Sequence, residues 1–299
     1  MREYFIWLAK IITSVVVFFI FLGMLGGFLA STAKISKESI PTNKKTVAVI
    51  NLESIILDSE DIIKELYTQV DNDQITAIVL RINSPGGAVG PSQDIYTAVT
   101  NLKKIKPVVV SMGAVAASGG LYAALGASKI FAQPGTMTGS IGVVLQVPNV
   151  QEITDKVGFK MTTIKAGALK DVGNMYREMS PEEKDFLTGL ADETHAEFIN
   201  AVVEGRGLQI SAVNKFADGR VILGSQAKAL GLIDEIGGVY EAAASALQLA
   251  NKPLEKDEIP NLYYPDDKFK EFRKLFEASS FLKSWFGITE TSRLMYLMQ

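Results

Sequence analysis

Ile75-Thr76-Ala77-Ile78-Val79-Leu80-Arg81-Ile82 is an apolar, β-branched run that stops at Asn83-Ser84-Pro85-Gly86-Gly87. Eight such residues closed by a Pro-Gly-Gly turn read as a buried strand ending in a tight loop. Upstream, Val47–Ile56 reads as a strand and Glu60–Gln69 as a helix. Downstream come a helix over about Pro91–Leu102, a strand over Pro107–Ser111, a helix opening near Ser118 and a short strand at Ile130–Ala132. Short apolar runs alternating with helical periods predict an α/β fold of βα repeats around a mostly parallel, buried sheet. Right-handed crossovers then gather the loops at the strand C-termini on one edge, where α/β sites lie.

Past residue 150 the chain turns more helical. Ser180-Pro181-Glu182-Glu183 is a helix start, with Ser as N-cap, Pro in the first turn and Glu183 closing a capping box. That helix is predicted to run to about Glu204, ahead of Gly205-Arg206-Gly207, with further helices at about Ser225–Leu230 and Val239–Leu249. From Asp266 to Gln299 charges alternate with Phe269, Phe272, Leu275, Phe276, Phe281, Trp285 and Phe286. This tail reads as an amphipathic helix for the body, a second subunit or lipid.

At the other end, Ile11–Ala33 is a run of 23 residues without a charge, bounded by Lys10 and Lys34. About 20 helical residues cover the roughly 30 Å hydrocarbon core, so a single transmembrane anchor is expected there. A cleaved signal peptide ending near Ser31-Thr32-Ala33 is the alternative. Arg2 and Lys10 before the span are outnumbered by Lys34, Lys37, Lys44 and Lys45 after it, so charge leaves the side of the body open. The expected organisation is a flank (1–10), the anchor (11–33), a polar linker (34–45), an α/β body (46–252) and a tail (253–299).

Composition removes whole classes of chemistry. The chain of 299 residues has no cysteine and one histidine, His195, which excludes disulfides, thiolate metal sites, a cysteine nucleophile and a multi-histidine metal centre. Residues 1–45 carry a net +4, so residues 46–299 carry −7, a poor charge for binding nucleic acid. There is no G-x-x-x-x-G-K-[ST] and no G-x-G-x-x-G after a strand, so nucleotide binding is unsupported. No cofactor or metal is expected.

Three glycine-bearing loops remain. Pro85-Gly86-Gly87 can expose backbone N–H groups with no side chain in the way. Ala117-Ser118-Gly119-Gly120 places one hydroxyl where a strand hands over to a helix, the setting of either a nucleophile or a helix cap. Thr138-Gly139-Ser140-Ile141-Gly142 adds another hydroxyl, able to orient a lysine amine or simply to turn the chain. His195 sits beside the apolar stripe of the predicted 180–204 helix and reads as structural or surface. A serine without a histidine needs another base, and lysine is what remains. Lysine works as a base only where a dry, apolar site brings its pKa from about 10.4 toward 7–8. Lys165 and Lys170, in Ile164-Lys165-Ala166-Gly167-Ala168-Leu169-Lys170-Asp171, are the candidates.

Together with Gly139-Ser140-Ile141-Gly142-Val143, Ala217-Asp218-Gly219-Arg220-Val221 and Ala229–Gly238, these pieces resemble the signal peptide peptidase A family. Its members are membrane-anchored serine peptidases of the Clp/crotonase superfamily, and the resemblance covers roughly Val47–Leu249. It implies a Clp/crotonase-like fold and a serine endopeptidase with Ser118 as nucleophile and Lys170 as general base. Ser140 would orient the lysine, with the backbone N–H groups of Gly87 and Gly119 as oxyanion donors; Lys165 becomes the second choice. It further implies a homo-oligomer, in which the lysine can reach a neighbour's serine, on the outer side of the cytoplasmic membrane. The implied substrates are cleaved signal peptides or similar apolar membrane segments. Alternatives are a peptidase dedicated to one membrane protein, a crotonase-type acyl-thioester enzyme and a non-catalytic membrane scaffold.

Overall fold

The computed structural model describes residues 45–265 and 295–297, with residues 7, 10, 13–18 and 21 near the N-terminus. Most of the 11–33 span, the linker up to residue 44 and most of the tail from 266 lie outside the described residues. Among the described residues no helix is long and apolar enough to cross a membrane. Residues 1–41 and 42–299 are separate compact units, and the fold described below is that of the second.

The expected alternation of strands and helices is present. In chain order come β1 (Thr46–Glu53), α1 (Glu60–Asp71), β2 (Ala77–Ser84), β3 (Gly86–Ala88), α2 (Val89–Leu102), β4 (Val108–Ala116), α3 (Gly119–Ala124), β5 (Lys129–Ala132) and β6 (Met137–Gly139). Then follow α4 (Gln151–Lys156), α5 (Pro181–Arg206), α6 (Ile210–Val213), β7 (Val221–Leu223), α7 (Gly224–Ala229), β8 (Glu235–Ile236), α8 (Val239–Leu249), β9 (Asn261–Tyr263) and β10 (Met295–Leu297).

The sheet is mostly parallel. β1 lies between β9 and β2, β2 pairs β4, and β5 follows β4 with β8 beyond it, all in parallel. β4 is longer than its apolar run, and its two halves take different partners. Val109–Ser111 pair with β5, whereas Val115 pairs with Met137 of β6, to which β7 adds antiparallel. β9 draws a strand of the sheet from beyond residue 252.

Alternation along the strands explains the layers. Val47 and Val49 of β1, Ala77 and Val79 of β2 and Val109 of β4 face Ala242, Ala243, Ala246 and Leu247 of α8 in one buried cluster. The intervening Ala48, Ile50, Ile78, Leu80 and Val110 are buried as well, as a sheet covered on both faces requires. At roughly 1.5–3 kcal/mol per fully buried aliphatic side chain, this double burial dominates the stability of the body. α5 begins as its sequence predicts: the Ser180 hydroxyl accepts from the Glu183 N–H, the Glu183 carboxylate accepts from the Ser180 N–H, and Pro181 opens the first turn.

Candidate active site

β2 and β4 end side by side, with Ser84 aligned to Ala116 and the Ala117 N–H donating to the Ser84 carbonyl at 3.1 Å. This pairing brings the Pro-Gly-Gly loop after β2 against the serine-bearing loop after β4. The third loop is tied to the same place. Thr138 Oγ1 donates to the Ala116 carbonyl at 2.6 Å, and the Ser118 N–H donates to the Gly139 carbonyl at 2.9 Å. Ser140 is held by its own N–H on the Arg220 carbonyl at 2.8 Å.

Ser118 sits on a strained elbow, with φ 52° and ψ −119°, between β4 and α3. A non-glycine residue in this sparsely populated region costs about 1–3 kcal/mol, and such residues cluster at functional sites. Its position is the N-cap of α3, but its side chain makes no capping hydrogen bond. Oγ is buried and, among the described residues, has no hydrogen-bond partner. The capping alternative is therefore excluded, and a hydroxyl is held dry and unpaired at a strand-to-helix elbow. Ser140, also buried, has a positive φ of 52° too.

The two candidate oxyanion donors are adjacent. A side chain on Gly119 would put its Cβ 3.1 Å from the Gly87 nitrogen and 2.4 Å from Ser92 Oγ. On Gly87 the Cβ would fall 2.0 Å from the Ile56 carbonyl oxygen, so this backbone approach is open to glycine only. Ser92 escaped the sequence reading. It is buried on α2, its hydroxyl donates to the Ala88 carbonyl at 2.8 Å, and it forms the wall against which Gly119 packs. A helical serine bonding its i−4 carbonyl leaves no distinctive sequence signal, so only the fold reveals it. Thr138, which links the second and third loops, is likewise silent in sequence.

The fold thus gathers Ser118, Gly119, Gly87 and Ser140, and among the described residues no lysine is hydrogen-bonded to Ser118 Oγ. Lys170 is exposed and forms no hydrogen bond with Ser118. Lys165 is committed elsewhere, donating to the Ala168 carbonyl at 2.7 Å and pairing with Asp171. Asp171 also accepts from Arg177 Nε at 3.2 Å, and Arg177 Nη1 donates to Glu183 at 2.7 Å, tethering the lysine-bearing segment to the start of α5. Lys165, then Arg177 and Asn174, hold the Asp171 carboxyl down at about 2. Arg177 and the Ser180 N–H do the same for Glu183, also at about 2. His195 is partly buried, its Nε2 lying 3.1 Å from the Ile141 carbonyl, so it contacts the third loop from behind as a structural residue.

Comparison with known proteins gives the family. The model for peptidase family S49 matches residues 100–252, and that for Clp protease matches residues 44–139. A Synechocystis sp. protein, slr0021, named as a candidate protease, is 37% identical over 255 residues, covering 84% of this chain and 91% of its own.

The chain belongs to peptidase family S49.

As an S49 member it is a serine peptidase. Two further relatives are longer. Protease 4 of Haemophilus influenzae is 36% identical over 69% of this chain and 35% of its own length. The chloroplastic serine protease SPPA of Arabidopsis thaliana is 33% identical over 79% of this chain and 34% of its own. The chain thus spans about a third of the length of these two proteins.

Proposed function

We propose that this S49 peptidase is a membrane-anchored endopeptidase that uses Ser118 as nucleophile and Lys170 as general base to degrade cleaved signal peptides or similar apolar segments. The observation that carries the reading is the Ser118 elbow: a strained φ, a buried Oγ without a partner, and glycine N–H groups beside it. Neutral Lys170 takes the Oγ proton, and Oγ attacks the substrate carbonyl. The N–H groups of Gly87 and Gly119 receive the oxyanion, each donor contributing about 10²–10³ in rate. Lysine returns the proton to the leaving amine, and water then releases the acid from the acyl-enzyme.

Lys170 reaches Ser118 of a neighbouring copy in a homo-oligomer. Its exposure in one chain supports this, as does the company it keeps: Val157, Phe159, Met161 and Ile164 are exposed apolar residues on the same segment. Covering them with a second copy supplies the dry surroundings a lysine base needs. Ser140, on the loop bonded to Ser118, orients the arriving amine. Residues 11–33 anchor the chain in the cytoplasmic membrane, and the body works on the outer side.

The test is hydrolysis of a fluorogenic signal-peptide sequence by the full chain, by Ser118→Ala, by Lys170→Ala and by a co-refolded mixture of the two variants. Each variant alone is silent, and the equal mixture recovers about a quarter of the parent activity, because one in four serine–lysine pairings is intact. Silence of the mixture would move the dyad into a single chain; activity in Ser118→Ala would remove it altogether.

A further inference from the structure

Lys170 is followed directly by Asp171, and a carboxylate beside a lysine opposes its use as a base. The negative charge favours the ammonium form, and a free carboxylate oxygen would draw the amine into an ion pair. The fold gives Asp171 other partners. Lys165 Nζ pairs with Oδ1, while Oδ2 accepts from Arg177 Nε at 3.2 Å and from Asn174 Nδ2 at 3.4 Å. Both oxygens are therefore engaged by groups other than Lys170, whose side chain is exposed. The main chain sets this up. Gly167, with φ 98°, turns the chain between the two lysines, and the Lys170 N–H donates to the Gly167 carbonyl at 3.2 Å. Inside that turn Lys165 Nζ also donates to the Ala168 carbonyl, at 2.7 Å. The charged groups around Asp171 are thus Lys165, Lys170 and Arg177 of its own segment, with Glu183 from the start of α5 behind Arg177.

We infer that Lys165 is a positioning residue that acts through Asp171: it occupies and neutralises the carboxylate next to Lys170, so that Lys170 can shed its proton and keep its amine free for a serine. The inference rests on the reading of Lys170 as general base. Lys165, Asp171, Arg177 and Glu183 together carry no net charge, and removing Lys165 leaves the group at −1. Arg177 still holds Asp171 to the start of α5, so the segment stays tethered while the charge beside the base changes. Lys165 is also the strongest of the influences that hold the Asp171 carboxyl down at about 2. A unit charge several ångströms away through water shifts a lysine by about 0.5 pKa unit. The neutral amine is the active form. Added negative charge therefore moves the rise of activity to higher pH, and removed negative charge moves it to lower pH.

The experiment measures kcat against pH, at low ionic strength and with a fluorogenic peptide. The proteins are the full chain, Lys165→Met, Lys165→Arg, Asp171→Asn and the double variant Lys165→Met/Asp171→Asn. In Lys165→Met the midpoint of the acidic limb should rise by about 0.5 unit, so the variant is about threefold slower below the midpoint and equal to the parent above it. Lys165→Arg keeps the charge and should keep the parent midpoint. Asp171→Asn should lower the midpoint, and in that background Lys165→Met should lose most of its effect. At 1 M salt, where the Debye length is about 3 Å, the Lys165→Met shift should shrink. A midpoint unmoved or lowered in Lys165→Met, or a full shift persisting in the Asp171→Asn background, would overturn the inference. Silence of Lys165→Arg at every pH would do so as well, by making Lys165 the base. Should Asp171→Asn loosen the segment, the comparison of Lys165→Met with Lys165→Arg decides alone, because both keep the Asp171–Arg177 contact. Failure of the base reading itself is seen separately, as hydrolysis surviving in Lys170→Ala.

Discussion

Replacing Ser118 by glycine should make the protein both inactive and more stable. The serine has φ 52° and ψ −119°, a conformation that costs a residue with a Cβ about 1–3 kcal/mol and glycine almost nothing. Its Oγ is buried and unpaired, a desolvation cost of a further 1–3 kcal/mol or so. Against these gains, glycine loses about 0.5–1 kcal/mol through the greater freedom of the unfolded chain. The balance is a net stabilisation of about 1–5 kcal/mol. For a body of this size each kcal/mol moves the thermal midpoint by about 2–4 °C. Ser118→Ala sheds the unpaired hydroxyl but keeps the strain, so it should fall between glycine and the parent. The assay is thermal unfolding of the three full-length proteins in one detergent, with hydrolysis measured alongside. A midpoint below the parent's in either variant would show that the serine is a satisfied structural residue, and the elbow argument would fail. Strain and an orphan hydroxyl retained together are what a site selected for reactivity over stability looks like.

Other consequences follow from the same contacts. Gly119→Ala should destabilise by about 1–3 kcal/mol, since its Cβ lands 2.4 Å from Ser92 Oγ, and adding Ser92→Ala should recover part of that in urea unfolding. Lys170→Ala should abolish hydrolysis, whereas Lys165→Ala should stay within a few-fold of parent activity; the reverse pattern would transfer the base. Asp171 and Glu183 have folded values near 2, below their ordinary 3.8 and 4.5. The unfolded chain therefore binds more protons in that window. The stability they contribute is complete above about pH 4.5 and is lost as pH falls toward 2. Limited proteolysis across this range should show the segment around Lys170 loosening, and Arg177→Met should flatten the dependence.

The body was legible where burial writes itself into composition. Ile75–Ile82 and Val47–Ile56 are apolar on both faces, and they form neighbouring parallel strands covered by helices on both sides. The α5 start was legible because Ser180, Pro181 and Glu183 carry capping chemistry at fixed spacing. β3, β6 and β7 were not, since each is three residues long and two contain glycine; their pairing comes from the loops around them. The strand signal of β4 ends at Ser111 because Gly113 and the small residues after it dilute it, yet the ladder continues to Ala116. At the site, residue types identified Ser118 but gave it two roles. Only the backbone angle and the absent capping bond separate them. The tail reads as amphipathic, yet its described residues, Met295–Leu297, are a strand whose partner lies about 200 positions away, and no local pattern encodes that pairing.

The claim on which everything else depends is that Ser118 Oγ is the nucleophile, and covalent labelling tests it most directly. The full chain is treated with a fluorophosphonate, and the adduct is located by peptide mass spectrometry. A single adduct on Ser118, absent from Ser118→Ala, with hydrolysis lost in step with labelling, is the predicted result. An adduct on another residue, or full hydrolysis by Ser118→Ala, would contradict it.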